Sequence, residues 1–264
     1  MKELYYFKVS GLYSEENEPC FEMPSRYEEP DRLKEHIDRL RGIAAATNRR
    51  GTEFAFELSN YMDTVITPHM TTYYTNIDNN NQMLARKSFS KIKSAINNAV
   101  IRKTYIYNNL TALANELNIS KICDYERRLA KTLASEHVAK TYECTETVRQ
   151  IVDKVAKYTN EIMSIIKGHM DDVVFNIAHK FETRSNVTRV RDHPPVPINV
   201  TSYIKQLSRA AVRFGYELDL CLTNARRQSE MAADKLTNCK TNVKRYTESM
   251  ITNAEDELYH CVYA

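Results

Sequence analysis

The sequence predicts an all-α protein: an elongated antiparallel bundle of about five helices, with a long disulfide-stapled helical hairpin and a non-helical amino-terminal arm. Three observations carry that prediction. Glycine (5) and proline (7) are scarce and tryptophan is absent in 264 residues, whereas a sheet protein of this length needs many glycine-bearing turns. From Ile204 to Cys261, small or apolar residues recur at alternating steps of three and four. They run through Leu207, Ala211, Phe214, Leu218, Cys221 and Ala225, break at Gln228, and resume at Ala232, Lys235 or Leu236, Cys239, Val243, Tyr246, Met250, Ala254 and Leu258. This near-heptad seam lets one helix lie along another. The third observation is the placement of the six cysteines, four of which are spaced to pair across a helical hairpin.

Taken in order, the chain reads as a single helical domain over 1–264. Residues 1–29 lack a period and hold Gly11, Pro19 and Pro24, so they are expected as an extended arm. Three helices are expected in 30–117. Pro30 suits a first helical position, with Glu29 and Asp31 at the positive end of the helix, and Leu33, Ile37, Leu40 and Ala44 form its apolar stripe. A second helix begins at Thr52 and carries Phe54, Phe56, Leu58, Tyr61, Met62, Val65 and Ile66; Pro68 is expected to end or kink it. Asn79-Asn80-Asn81 suggests a turn. A third helix of about 35 residues, about 50 Å long, follows through Ala85, Phe89, Ile92, Ile96, Ala99, Ile106, Leu110, Leu113 and Leu117. The hairpin helices are expected at 119–184 and 201–262. The first carries Leu133, His137, Cys144, Val148, Ile151, Val155, Tyr158, Ile162, Ile165, His169 and Val173 on its seam. The loop 185–200 contains Pro194-Pro195-Val196-Pro197, which a helix cannot cross.

In an antiparallel pair, residues at one height have numbers with a nearly constant sum, about 384 for a loop centred near Asp192 or His193. Cys144 with Cys239 and Cys123 with Cys261 meet that condition, and within each helix the two cysteines are separated by six turns and face one way. Both pairs are therefore expected as disulfides. Cys20 and Cys221 are left by elimination, a bridge that would clip the arm to the last helix. Disulfides imply an oxidising compartment, so the protein is expected outside the cell, with any leader lying outside this sequence. No run approaches a membrane span. Four sequons, at Asn109, Asn118, Asn186 and Asn199, are candidate glycosylation sites near expected helix ends and loops; roughly three would arise by chance in a chain of this composition.

The charges nearly cancel, with 37 basic and 34 acidic residues, so net charge implies neither nucleic acid nor an anionic membrane. The seven histidines form no H-E-x-x-H, there is no C-x-x-C, G-x-S-x-G or glycine-rich phosphate loop, and no catalytic residue, metal ligand or cofactor is assigned. His137 and His169 fall on the seam and are expected as structural histidines. The doublets Arg49-Arg50, Arg102-Lys103, Arg127-Arg128 and Arg226-Arg227 would make a polyanion-binding face if aligned, although Arg127-Arg128 is expected opposite Glu255, Asp256 and Glu257 across the hairpin. Seventeen tyrosines, among them Tyr5-Tyr6, Tyr73-Tyr74, Tyr105 and Tyr107, suit interfaces because a tyrosine buries its ring while its hydroxyl stays wet. Lipid binding by opening of the bundle is opposed by the staples, which lock the hairpin.

The framework Cys20, Cys123, Cys144, Cys221, Cys239 and Cys261, carried on long helices without an enzymatic motif, resembles the culicine mosquito salivary proteins of the 34 kilodalton family. The resemblance implies a protein delivered with saliva that acts by binding a host factor or a component of the insect mouthparts, and it carries over no functional residue. The leading expectation is thus a secreted, non-enzymatic protein-binding protein. A carrier of a small hydrophobic ligand and a heparin-like polyanion binder are the alternatives.

Overall fold

The computed structural model describes residues 35, 37–38, 41–42, 56–117, 124–187 and 200–263. Apart from a terminal turn at Leu117 they are helical, and no strand occurs among them. Three long helices, not five, account for nearly all of them: α1 (Thr67–Glu116), α2 (Asp124–Val187) and α3 (Val200–Tyr263). The expected extended arm, the loop 188–199 and most of the helix expected from Pro30 lie outside the described residues, although Glu35, Ile37, Asp38, Arg41 and Gly42 are helical.

The expected second and third helices are one, because both expected breaks are absorbed. Residues 56–61 are helical and lead into a π-helical turn, Met62–Ile66, in which the Thr67 N–H bonds to the Met62 carbonyl five residues back. A proline ring ordinarily collides with the carbonyl four residues before it; the widened turn makes room for Pro68. Thr64 donates to the Asn60 carbonyl at 2.7 Å and Thr72 to the Pro68 carbonyl at 2.8 Å, which holds the backbone around the wide turn. At the asparagine run, Asn80 Nδ2 donates to the Asn76 carbonyl at 2.7 Å. Asn81 is buried on the same face as Ile77 and Ala85, and its Nδ2 has no partner. The apolar stripe therefore crosses the run with one polar residue set into it.

The described residues group into two compact units, one from 83–155 with 226–263 and the other from 35–82 with 156–225. In the first unit, Ala85, Phe89, Ile92 and Ile96 of α1 pack with Cys144, Val148 and Val152 of α2 and with Ala232, Leu236 and Val243 of α3. A further cluster joins Ile106 and Leu110 to Leu133, Ala134, Ala254 and Leu258. In the second unit, Leu58, Met62, Met70 and Ile77 meet Met163, Ile166, Met170 and Val174, and Leu207, Phe214 and Leu218 from α3 close the core. Ser208 donates to the Ile204 carbonyl and so accepts from the Tyr61 hydroxyl, at 2.7 Å each.

The second half of α2 corrects the expected seam by one residue. Buried there are Val152, Ala156, Thr159, Met163, Ile166, Met170 and Val174, not Ile151, Val155, Tyr158, Ile162, Ile165, His169 and Val173. Two neighbouring ridges of α2 are both apolar, and period alone does not say which of them meets the other helices. As a result Tyr158, Ile165, His169 and Phe175 lie exposed.

Two glycines inside helices separate cleanly by their surroundings. A methyl group at Gly168 would meet nothing within 4 Å, whereas one at Gly215 would lie 2.9 Å from the Tyr73 ring. Gly168→Ala is expected to raise stability by about 0.5–1 kcal/mol, read from urea unfolding. Gly215→Ala is expected to fall short of that gain, because the Tyr73 ring must shift to admit it.

Candidate functional site

The cysteines fix the geometry of the first unit. Cys144 and Cys239 form a disulfide with a Cα–Cα distance of 5.8 Å, at the height expected from the hairpin register. Cys261 is also disulfide-bonded; Cys123, its expected partner, lies outside the described residues. Cys221 corrects the reading by elimination. It is a free, buried thiol on the seam of the second unit, where burial pushes its pKa up and a hydrogen bond with Thr159 opposes that rise. A thiol so placed packs as a small hydrophobe and does not clip an arm; Cys20 lies outside the described residues.

Of the sequons, Asn109 is exposed on α1, two turns before its end and not at a terminus. Asn186 falls in the last turn of α2, and Asn118 and Asn199 lie outside the described residues. The two seam histidines part company. His137 is buried at 8% exposure, its Nδ1 2.8 Å from Thr247 Oγ1. Its pKa is lowered first by burial and then by the positive charge of Arg102. His169 is exposed, with its ring 6.1 Å from that of Phe214.

The seam of α3 also differs from expectation at one layer, where Thr247 is buried in place of Tyr246. Thr247 donates to the Val243 carbonyl at 2.8 Å and also serves His137, so its hydroxyl is satisfied inside. Tyr246 turns outward, donates to Glu136 at 3.1 Å and lies under the Lys140 ammonium at 4.4 Å. Among the basic doublets, Arg102 is drawn to Glu248 at 3.9 Å and lies over the Tyr105 ring at 4.9 Å. Arg49-Arg50 and the side chain of Arg127 lie outside the described residues.

Among the described residues no group of three or more His, Cys, Asp or Glu side chains could hold a metal ion, and no helix is long and apolar enough to cross a membrane. Two features of the second unit can meet a partner. One is a groove of about 440 Å³ against α2, lined by Glu35, Ile165, Gly168, His169, Asp171, Asp172 and Phe175. Its volume suits a small ligand, but three carboxylates in the lining suit an apolar one poorly.

The other is the outward face of α3. Val212, Tyr216 and Leu220 follow one another at steps of four and are 66%, 65% and 51% exposed, forming a continuous apolar ridge one or two positions along from the buried Ala211, Gly215 and Leu218. Arg213, bonded to Glu217 at 3.0 Å, and the exposed Arg209 and Asp219 border it. Sequence reasoning passed over this ridge because the seam beside it absorbed the periodic signal; its own spacing of four was the available clue. Tyr73 and Tyr74, which drew attention as tyrosines, pack against the core. Tyr105 and Tyr107 are exposed.

No protein-family model matches the chain, and no curated protein is significantly similar to it.

Proposed function

We propose that the protein is a secreted, non-enzymatic binding protein that docks an extracellular protein partner on the Val212–Tyr216–Leu220 ridge of α3. The observation that carries the reading is that ridge. A large aromatic ring and two aliphatic side chains, each at least half exposed and bordered by charged groups, have the make-up of the apolar centre and polar rim of a protein interface. The Cys144–Cys239 disulfide supports placement in an oxidising compartment. Delivery with saliva, a host factor or cuticular component of the mouthparts as the partner, and glycans on Asn109, Asn118, Asn186 and Asn199 are the finer form of the proposal and rest on the resemblance in the cysteine framework.

The test is affinity capture from host plasma, skin extract and cuticle extract with the wild-type protein and with Tyr216→Glu, whose helicity is checked by circular dichroism. The recovered partner is then titrated in a calorimeter. A partner retained by the wild type and weakened at least about ten-fold by Tyr216→Glu supports the reading, that being the loss expected when a central interface aromatic is removed. Equal binding of both proteins, or turnover of a substrate without a partner, defeats it. The groove at Asp171 keeps a ligand carrier as the second reading on volume alone, and its carboxylates favour a cationic amphiphile over a neutral hydrophobe.

A further inference from the structure

In the first unit, α1 is the helix that no disulfide ties. The sequence has no cysteine between Cys20 and Cys123, whereas Cys144–Cys239 joins α2 to α3 and Cys261 on α3 is itself bonded. Where α1 meets this stapled pair, a buried histidine lies beside a cation of α1. The hydroxyl proton of Thr247 is committed to the Val243 carbonyl, so Thr247 Oγ1 accepts from His137 Nδ1–H, a bond that neutral and protonated rings both make, and burial and Arg102 favour the neutral one.

Charged groups at this level come from all three helices: Arg102 on α1, whose charge acts on His137 directly, Glu136 and Lys140 on α2 beside His137 in the chain, and Lys244 and Glu248 on α3 beside Thr247. Glu136 is held by Lys140 at 3.5 Å and by the Tyr246 hydroxyl at 3.1 Å. Glu248 is shared by Arg102 at 3.9 Å and Lys244 at 3.7 Å. Three cations thus share two carboxylates, both already engaged, and an imidazolium formed at the buried His137 would add a fourth positive charge.

We propose that protonation of His137 releases the carboxyl-terminal half of α1 from the stapled α2–α3 pair of the first unit. Mild acid then exposes the apolar surface between Ile106 and Leu110 on one side and Leu133, Ala134 and Leu258 on the other, with the cysteine bonds intact. The imidazolium must be rehydrated or separated from Arg102. The Cys144–Cys239 bond, seven residues from His137 along α2 and eight from Thr247 along α3, resists parting those two helices, so the helix free to yield is the one that carries Arg102. Burial and Arg102 both lower the pKa of His137 below 6.5 in the closed form, so the open form binds the proton more tightly. The contribution of the neutral His137 to closure is therefore fully present above about pH 6.5 and declines as the pH falls below it. With an open-form pKa near 6.5, the opening equilibrium rises by at most about 30-fold from pH 7.5 to pH 5.0.

The experiment is hydrogen–deuterium exchange with mass spectrometry on the disulfide-intact protein at pH 7.5 and 5.0, corrected for intrinsic exchange, with peptides from 100–116 compared with peptides from 85–99. Expected is an increase in opening of 100–116, up to about 30-fold, that is absent in 85–99, absent in His137→Gln and smaller in Arg102→Gln. Unchanged protection of 100–116, an equal increase in 85–99, or full opening in His137→Gln overturns the proposal. If His137→Gln does not fold at pH 7.5, an undiminished response in Arg102→Gln overturns it alone.

Discussion

Replacing Cys144 and Cys239 together by serine is expected to lower the free energy of unfolding by about 4 to 5 kcal/mol, the largest effect of any change proposed for this chain. The bond closes a loop of 95 residues, and removing a cross-link of that span returns this much conformational entropy to the unfolded chain. The folded state should change little, because Cys144 is buried and serine is its near isostere, although each serine brings a hydroxyl that must find an acceptor within the helix. Urea unfolding of the oxidised wild type and the double variant, followed by circular dichroism, measures the difference. A loss under about 1 kcal/mol would mean that helix packing alone fixes the hairpin in the unfolded ensemble as well as the folded one, and the entropic account would fail.

The same bond shows how far numbers alone reach. Cysteine pairing was readable for Cys144 and Cys239 because two helices joined by one loop share a single unknown, the centre of the loop, and a disulfide sits at one height on both. No such constraint governs a cysteine assigned by elimination. Cys221 lies on the same seam as Cys239 but faces Thr159 in the core of the second unit, where burial of a small apolar side chain is reason enough for it to be there. A similar limit applies to helix ends. Pro68 and the asparagine run are strong local signals for a break, and both lose to continuity: one through a π turn that relieves the ring clash, the other through a side chain that bonds back to its own helix. Local propensity is worth at most about 3 kcal/mol even for proline, less than the burial of the apolar residues on either side of each site.

The outward surface was least legible, and for a definite reason. Periodicity identifies a helix and a stripe, but where two adjacent ridges are both apolar it does not say which is inside. On α2 the choice between Ile162 and Met163, or between Ile165 and Ile166, has no hydropathic basis; packing against α1 and α3 decides it. On α3 the ridge Val212–Tyr216–Leu220 is hidden in the sequence by the longer seam next to it. The His137 layer is a third case. Tyr246 fits the period as well as Thr247, but only a residue that satisfies its own hydroxyl and the imidazole together can be buried at that height.

The distinction between the two ridges of α3 predicts the second large effect. Leu218 has 0% exposure and Leu220 has 51%, although they are two residues apart on one helix and chemically identical. Leu218→Ala is expected to cost about 3 kcal/mol, within the 2 to 5 kcal/mol that follows from removing three buried carbons and leaving a cavity between Leu207, Phe214 and the apolar side chains of α1 and α2. Leu220→Ala is expected to stay within about 0.5 kcal/mol of the wild type, as surface changes do, because half of its surface is in water already and its truncation leaves no enclosed cavity. Urea midpoints for the two variants, at unchanged slope, give the comparison. Binding inverts the order: with a captured partner in hand, Leu220→Ala should weaken the complex while Leu218→Ala, under conditions where it remains folded, should leave it unchanged. Equal destabilisation by both substitutions would mean that the outer ridge is covered within the chain, and it would remove the surface on which the proposed docking rests.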